Sequence, residues 1–133
     1  MSATARLVFG ADVGSTNAKL ALARFEGDSP VLVERKIYPS PRYPALEPVI
    51  EAFLAERGVA SRVGEIHGAC IAVAGPVVDG RGRLTNLPWE VDEGAIGERF
   101  DFRATRVIND FAAAGLGNAH LSSNDLLSLL PGV

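Results

Sequence analysis

The apolar positions of this chain fall first into short runs. Arg6–Ala11 (RLVFGA), Ala18–Phe25 (AKLALARF) and Val31–Tyr38 (VLVERKIY) read as three strands, separated by the polar, turn-rich stretches Asp12–Asn17 (DVGSTN) and Gly27–Pro30. Consecutive strands joined by tight turns make an antiparallel meander. Pro39, Pro41 and Pro44 then break the pattern, since each fixes φ and removes a donor. That segment is expected to be a rigid surface connection that could also line a cleft. In Ala45–Arg57 the period changes: Leu46, Val49, Ile50, Phe53 and Leu54 recur at helical spacing, with Gly58 as a C-cap and Pro48 admissible only near the helix start. Ile66–Ala74 (IHGACIAVA) is apolar almost throughout, as suits a strand covered on both faces. Val77–Asn86 holds a hairpin around Asp79-Gly80, Val91–Phe100 reads as a short helix, Thr105–Ile108 as a fifth core strand, and Asn109–Leu116 as the start of another helix.

The order is therefore βββαβ, a hairpin, then αβα. A dinucleotide-binding domain alternates strand and helix from its start, so that class is excluded. The pattern matches an α/β domain of the ribonuclease-H-like, actin-like ATPase type. Its sheet is mixed, with three antiparallel strands followed by parallel ones and helices on its faces. Composition supports one globular domain: 133 residues, 47% hydrophobic and 22% charged. The formal net charge is −3 without a Lys/Arg block, so a nucleic-acid interface is not expected. No apolar run approaches ~18 residues and no leader pattern precedes Arg6, so neither a membrane span nor a signal peptide is expected, and the protein is expected in the cytoplasm. Cys70, the single cysteine, reads as a small buried strand residue.

Two segments carry candidate chemistry. In Asp12-Val13-Gly14-Ser15-Thr16-Asn17, glycine permits φ > 0 and a close approach by a phosphate, successive backbone N–H groups can form an anion-binding nest, and Ser15 and Thr16 add hydroxyls. Asp12 would repel a phosphate directly, so a carboxylate there implies Mg²⁺ between them. The loop lacks the GK[ST] ending of a Walker A motif, and an ordinary hairpin turn would use the same residue types. The second segment, Ile108-Asn109-Asp110-Phe111, puts an acid where an apolar strand gives way to a helix. Ligands of open α/β sheets sit at such strand ends. Asn109 or Asp110 would serve equally as a helix cap, and one can cap while the other faces the cleft.

In sequence order, DVGSTN, AVAGPV (Ala72–Val77), LTNLPW (Leu84–Trp89) and INDFAAAGL (Ile108–Leu116) resemble the bacterial glucokinase family, at about its spacing, from about Leu7 to the end of the chain. The resemblance implies ATP-dependent phosphorylation of glucose at its 6-hydroxyl, with ATP and Mg²⁺ as cofactors and glucose as substrate. By the same resemblance, Ala11, Asp12, Val13, Gly14, Ser15 and Thr16 form the ATP-phosphate segment and Asp12 faces the metal. Asp110 is the general base and a sugar ligand, and Asn109 a second sugar ligand. Asn86 and Trp89 lie near the sugar cleft without an assigned role. Ser15 departs from the family's usual glycine, and neither His67 nor His120 matches its sugar-binding histidine. The resemblance makes residues 1–133 a single N-terminal domain. The family's second domain, which brings further sugar ligands and the adenosine pocket, is absent from the chain. Little or no activity is therefore expected of the chain alone, and self-association or homodimerisation is expected through apolar surface around Leu126–Leu130. The alternative functions are a catalytically inactive sugar- or nucleotide-binding module and an actin-like assembly domain; a retained Asp110 disfavours the first, TNLPW and INDF the second.

Overall fold

The computed structural model describes residues 6–26 and 29–109. Its main sheet holds β1 (Arg6–Val13), β2 (Asn17–Glu26), β3 (Ser29–Pro39), β4 (Ile66–Val73) and β8 (Ala104–Asn109), in the order β3-β2-β1-β4-β8. β1 pairs with β2, and β2 with β3, antiparallel; β1 pairs with β4, and β4 with β8, parallel. This is the mixed sheet that the strand order predicts. Between β4 and β8, the strands β5 (Val77–Val78), β6 (Arg81–Arg83) and β7 (Glu90–Asp92) form a separate antiparallel sheet. The two helices are α1 (Leu46–Leu54) and α2 (Glu93–Phe100).

Strand alternation sorts the core. Phe9, Ala11 and Val13 of β1 share one face with Leu20 and Leu22 of β2 and Ile71 and Val73 of β4. They pack against Leu46, Val49, Ile50 and Phe53 of α1 and Ile96 of α2. Phe9 is the hub, its ring 5.7 Å from Phe53 and 5.6 Å from Phe102. The opposite face carries small side chains: Ala21 with Ala72, and Ala23 with Cys70, beside Ile108. β4 is buried from Gly68 to Val73, which accounts for its unbroken apolar run. Cys70, the single cysteine of the chain, is buried, and His67 on the same strand is exposed. Among the described residues no helix is long and apolar enough to cross a membrane.

Three local features differ from the expected elements. Val91 belongs to a strand, not a helix; α2 begins two residues later because the Asp92 carboxylate accepts from the N–H groups of Gly94 (2.9 Å) and Ala95 (3.1 Å). α1 ends at Leu54, with Ala55 rather than Gly58 at its C-cap, while Pro48 does sit in its first turn. A 3-10 helix, Ala60–Glu65, leads into β4. The Asp79-Gly80 turn forms as expected, with φ of 52° and 76° at its two central residues. The apolar run at Leu126–Leu130 and the helix expected from Asn109 onward lie outside the described residues.

Candidate functional site

Because β1, β3, β4 and β8 run the same way, their carboxyl ends meet at one edge of the sheet. The chain's polar loops gather there. β1 turns into β2 through Gly14, Ser15 and Thr16, closed by the Gly14 N–H donating to the Asn17 carbonyl at 2.9 Å. The β4 end is joined to β1 by Ala74 N–H donating to the Val13 carbonyl (3.0 Å). Asn109, the last residue of β8, donates from Nδ2 to the Gly75 carbonyl, tying the third strand end to the second. The Thr85 hydroxyl donates to the Ala74 carbonyl (3.2 Å), and the Asn86 N–H donates to Ser15 Oγ (3.3 Å). The LTNLPW segment thus lies against both the β1–β2 turn and the β4 loop.

Within the 11–16 segment the residues play different parts. The side chains of Ala11 and Val13 are wholly buried in the core, so they can offer a ligand only backbone. Asp12 points to the other face, opposite Lys19 on β2 and Ala72 on β4, and is half-buried. Ser15 is half-buried and Thr16 exposed. Among the described residues, no hydrogen bond engages the amide N–H of Ser15 or Thr16. Gly14 does not adopt the positive φ that the sequence suggested; Gly80 is the one described glycine that does. A Cβ at position 14 would meet nothing closer than the Asn17 carbonyl at 3.4 Å, an ordinary contact. The fold does not require glycine there. The missing side chain leaves that space open to solvent-side approach.

Gly75 is the converse. A Cβ there would lie 1.8 Å from the Arg83 carbonyl oxygen, so the β4 loop and β6 are in backbone contact, and only glycine fits. The proline-rich segment proves to be part of this edge. Ser40, in the 3-10 helix Ser40–Arg42, is wholly buried. Its hydroxyl donates to the Gly14 carbonyl (2.7 Å) and its N–H to the Thr16 carbonyl (3.1 Å). Three residues on, the Tyr43 carbonyl accepts from Trp89 Nε1 (3.1 Å), which makes the buried Trp89 a strut. Just before it, the Tyr38 hydroxyl donates to Glu56 (3.0 Å); burial first, and the Glu56 carboxylate second, push the Tyr38 phenol well above the usual tyrosine range. Counting strand directions could have located this segment: β3 runs parallel to β1, so its exit must lie beside the β1–β2 turn.

Asp110, the residue after Asn109, and His120 lie outside the described residues. Among the described residues no three His, Cys, Asp or Glu side chains gather as a metal cage. Mg²⁺ carried by phosphates asks for less, one or two carboxylates with the rest from phosphate and water, which Asp12 at a strand end fits.

The fold and this edge define an α/β domain with a mixed sheet, its polar loops collected at the carboxyl ends of the parallel strands. More particularly, the chain belongs to the glucokinase family, whose model, described as Glucokinase, matches residues 9–133. It is 37% identical over 120 residues to a glucokinase of Caulobacter sp. (strain K31), covering 90% of this chain and 35% of that protein. To a glucokinase of Synechocystis sp. it is 36% identical over 124 residues, again with 35% of the relative covered. Among solved structures, it resembles a glucokinase from an Antarctic psychrotroph with a TM-score of 0.69 at 34% identity, covering 89% of this chain and 36% of that one. It also resembles the glucokinase of Balamuthia mandrillaris, solved in complex with glucose, with a TM-score of 0.63 at 27% identity, covering 95% and 35%. The chain thus spans about a third of the length of the relatives it matches.

Proposed function

We propose that this chain forms the phosphate-binding portion of an ATP-dependent glucokinase of ribonuclease-H-like, actin-like architecture, which phosphorylates the 6-hydroxyl of glucose. The observation that carries the reading is the β1–β2 turn. It presents two amides that no described residue engages, beside a glycine that the described fold does not need, at the edge where Asn109 and the LTNLPW segment also converge. Family membership supports the same reading. Mg²⁺·ATP, when bound, supplies the phosphoryl group with its charge partly neutralised. The Ser15 and Thr16 amides would hold phosphate oxygens, with the Gly14 backbone in contact and the Ser15 and Thr16 hydroxyls as further donors. Asp12 would face the metal. Asn109, its amide plane set by the bond to Gly75, would hold a sugar hydroxyl. Asp110, the next residue, would accept the 6-hydroxyl proton as the new O–P bond forms and ADP leaves. Glucose and ATP are the ligands of this reading.

The test joins this chain to the carboxyl-terminal remainder of the Caulobacter relative and assays glucose phosphorylation. Asp110→Asn keeps the shape and one acceptor oxygen but cannot take a proton, so kcat should fall roughly 10²–10⁴-fold with glucose affinity little changed. Asn caps a helix about as well as Asp, so a near-normal kcat would make residue 110 a cap and refute the assignment. The isolated chain should show little or no turnover, because one side of a cleft orients the reactants poorly.

A further inference from the structure

We infer that Ser40 is a positioning residue that holds the β1–β2 turn with the Ser15 amide directed toward phosphate; this role rests on the reading just proposed. Ser40 is the one polar residue among the described core that is wholly buried, and both of its outward-reaching donors end on the same turn. Its hydroxyl takes the Gly14 carbonyl and its N–H the Thr16 carbonyl, so the turn is held from behind at both ends.

The consequence follows from peptide geometry. All described peptides are trans, and a trans peptide points its carbonyl and the next N–H in opposite directions. With the Gly14 carbonyl drawn toward Ser40, the Ser15 N–H faces away from Ser40. A phosphate oxygen needs that polarity, because a carbonyl turned outward would repel it. Among the described residues the turn is also tied across its own base, Gly14 to Asn17, and by the weaker contact between Ser15 Oγ and Asn86.

The support behind Ser40 is stiff. Pro39 precedes it at φ −74° and Pro41 follows it, so two of three consecutive residues have φ fixed covalently. The Ser40 carbonyl accepts from Tyr43 N–H (3.0 Å), and Tyr43 in turn receives the Trp89 indole. Tyr38, two residues before Ser40, is bonded to Glu56 beyond the end of α1. A buried hydroxyl on such a frame sets the angle of the turn before any ligand arrives, and orientation set in advance strengthens binding by removing an ordering cost.

The experiment follows the Ser15 and Thr16 amides by NMR in the 133-residue chain as Mg²⁺-tripolyphosphate is added. This probe carries the phosphates without needing an adenosine pocket. Wild type should show saturable shifts at both amides. Ser40→Ala removes the donor; Ser40→Cys fills the same space but donates weakly. Both should bind about fivefold more weakly, the effect of one net hydrogen bond, while amides elsewhere in the sheet keep their positions. Equal binding in all three proteins overturns the role. So does a Cys variant that binds like wild type, since filling space would then suffice, or variants unfolded in the cold, which would make Ser40 a folding residue. A wild-type chain whose turn ignores the probe sinks the phosphate-turn reading and this role with it; loss confined to the variants would leave that reading standing.

Discussion

Two glycines at the site edge make opposite demands, and one pair of substitutions separates them. At Gly75 an added methyl would sit 1.8 Å from the Arg83 carbonyl oxygen and 2.9 Å from its carbon, both backbone atoms that cannot rotate aside. Relief requires the β4 loop and β6 to part. Overpacking of this kind costs about 1–3 kcal/mol, and moving the Gly75 carbonyl off Asn109 Nδ2 forfeits a further ~0.5–1.5 kcal/mol. For a domain of this size each kcal/mol is worth roughly 4 °C, so Gly75→Ala should lower the melting midpoint by about 6–18 °C. At Gly14 the added methyl meets only an ordinary 3.4 Å contact, with φ outside the left-handed region. Gly14→Ala should therefore hold the midpoint or raise it by a few degrees, a gain of about 0.4–1 kcal/mol made through the unfolded chain. It should nevertheless weaken Mg²⁺-tripolyphosphate binding at the turn. Thermal melts by circular dichroism, with the same NMR titration, read both effects. A Gly14→Ala chain that melts far below wild type would refute the argument that this glycine is kept for an outside ligand. A Gly75→Ala chain that melts normally would refute the packing of β6 on the β4 loop.

Asp92→Ala should cost about 1 kcal/mol through the lost α2 cap, while Asp92→Asn, a comparable cap, should cost little. Backbone bonds from Ala95, then the Arg81 guanidinium and Gly94, hold the Asp92 carboxyl below its usual range, so its contribution is present above ~pH 4 and lost as pH falls through the lowered pKa; the Asn variant should lack that acid-side decline in melts against pH. The raised phenol of Tyr38 works on the alkaline side: its stabilisation is full below ~pH 10, where an unfolded tyrosine ionises, and is lost progressively above it. Tyr38→Phe should cost about 1 kcal/mol near neutrality and flatten the alkaline decline, as urea unfolding at several pH values would show. The Thr105 hydroxyl is buried with no hydrogen-bond partner among the described residues, so Thr105→Val, which keeps the shape, should raise denaturant stability by about 1 kcal/mol; a loss would mean that the hydroxyl is satisfied after all.

The long elements were legible in the sequence because one force set each of them. Three short apolar runs with turn residues between them gave the meander, the Leu46–Phe53 spacing gave α1, and the Asp79-Gly80 pair gave the second hairpin. β7 was not legible: a three-residue strand with one apolar side chain, Val91, has no period to read, and its neighbour α2 drew it into a helical reading. At the site, the approach of DVGSTN and Asn109 to one edge follows from strand direction and was legible in outline, whereas LTNLPW was placed near it only by the family resemblance. The backbone of Gly14 was not, since glycine identity says only that many φ values are open. Ser40 was hidden for a related reason. A serine between prolines reads as surface linker, and its buried bond to a carbonyl 26 positions earlier in the chain leaves no local pattern.

What holds this edge together bears on how it can work. The named ties at the turn are Ser40 to Gly14 and Thr16, Gly14 to Asn17, and Asn86 to Ser15; at the neighbouring strand end they are Thr85 to Ala74 and Asn109 to Gly75. Each joins neutral groups. Neutral bonds are little screened by salt and do not titrate near neutrality, so the geometry they impose persists across conditions that alter surface ion pairs. Arg81–Asp92 and Lys36–Glu56 are ion pairs made by residues outside the turn itself. A multiply charged phosphate ligand would thus meet a turn held by bonds between neutral groups, and its own attraction to the amides, together with any metal at Asp12, would be the salt-sensitive part. On the proposed reading shape and charge would be separated: hydroxyl, amide and proline would set the angle of the turn, and the charged chemistry would fall to the ligand, Asp12 and Asp110.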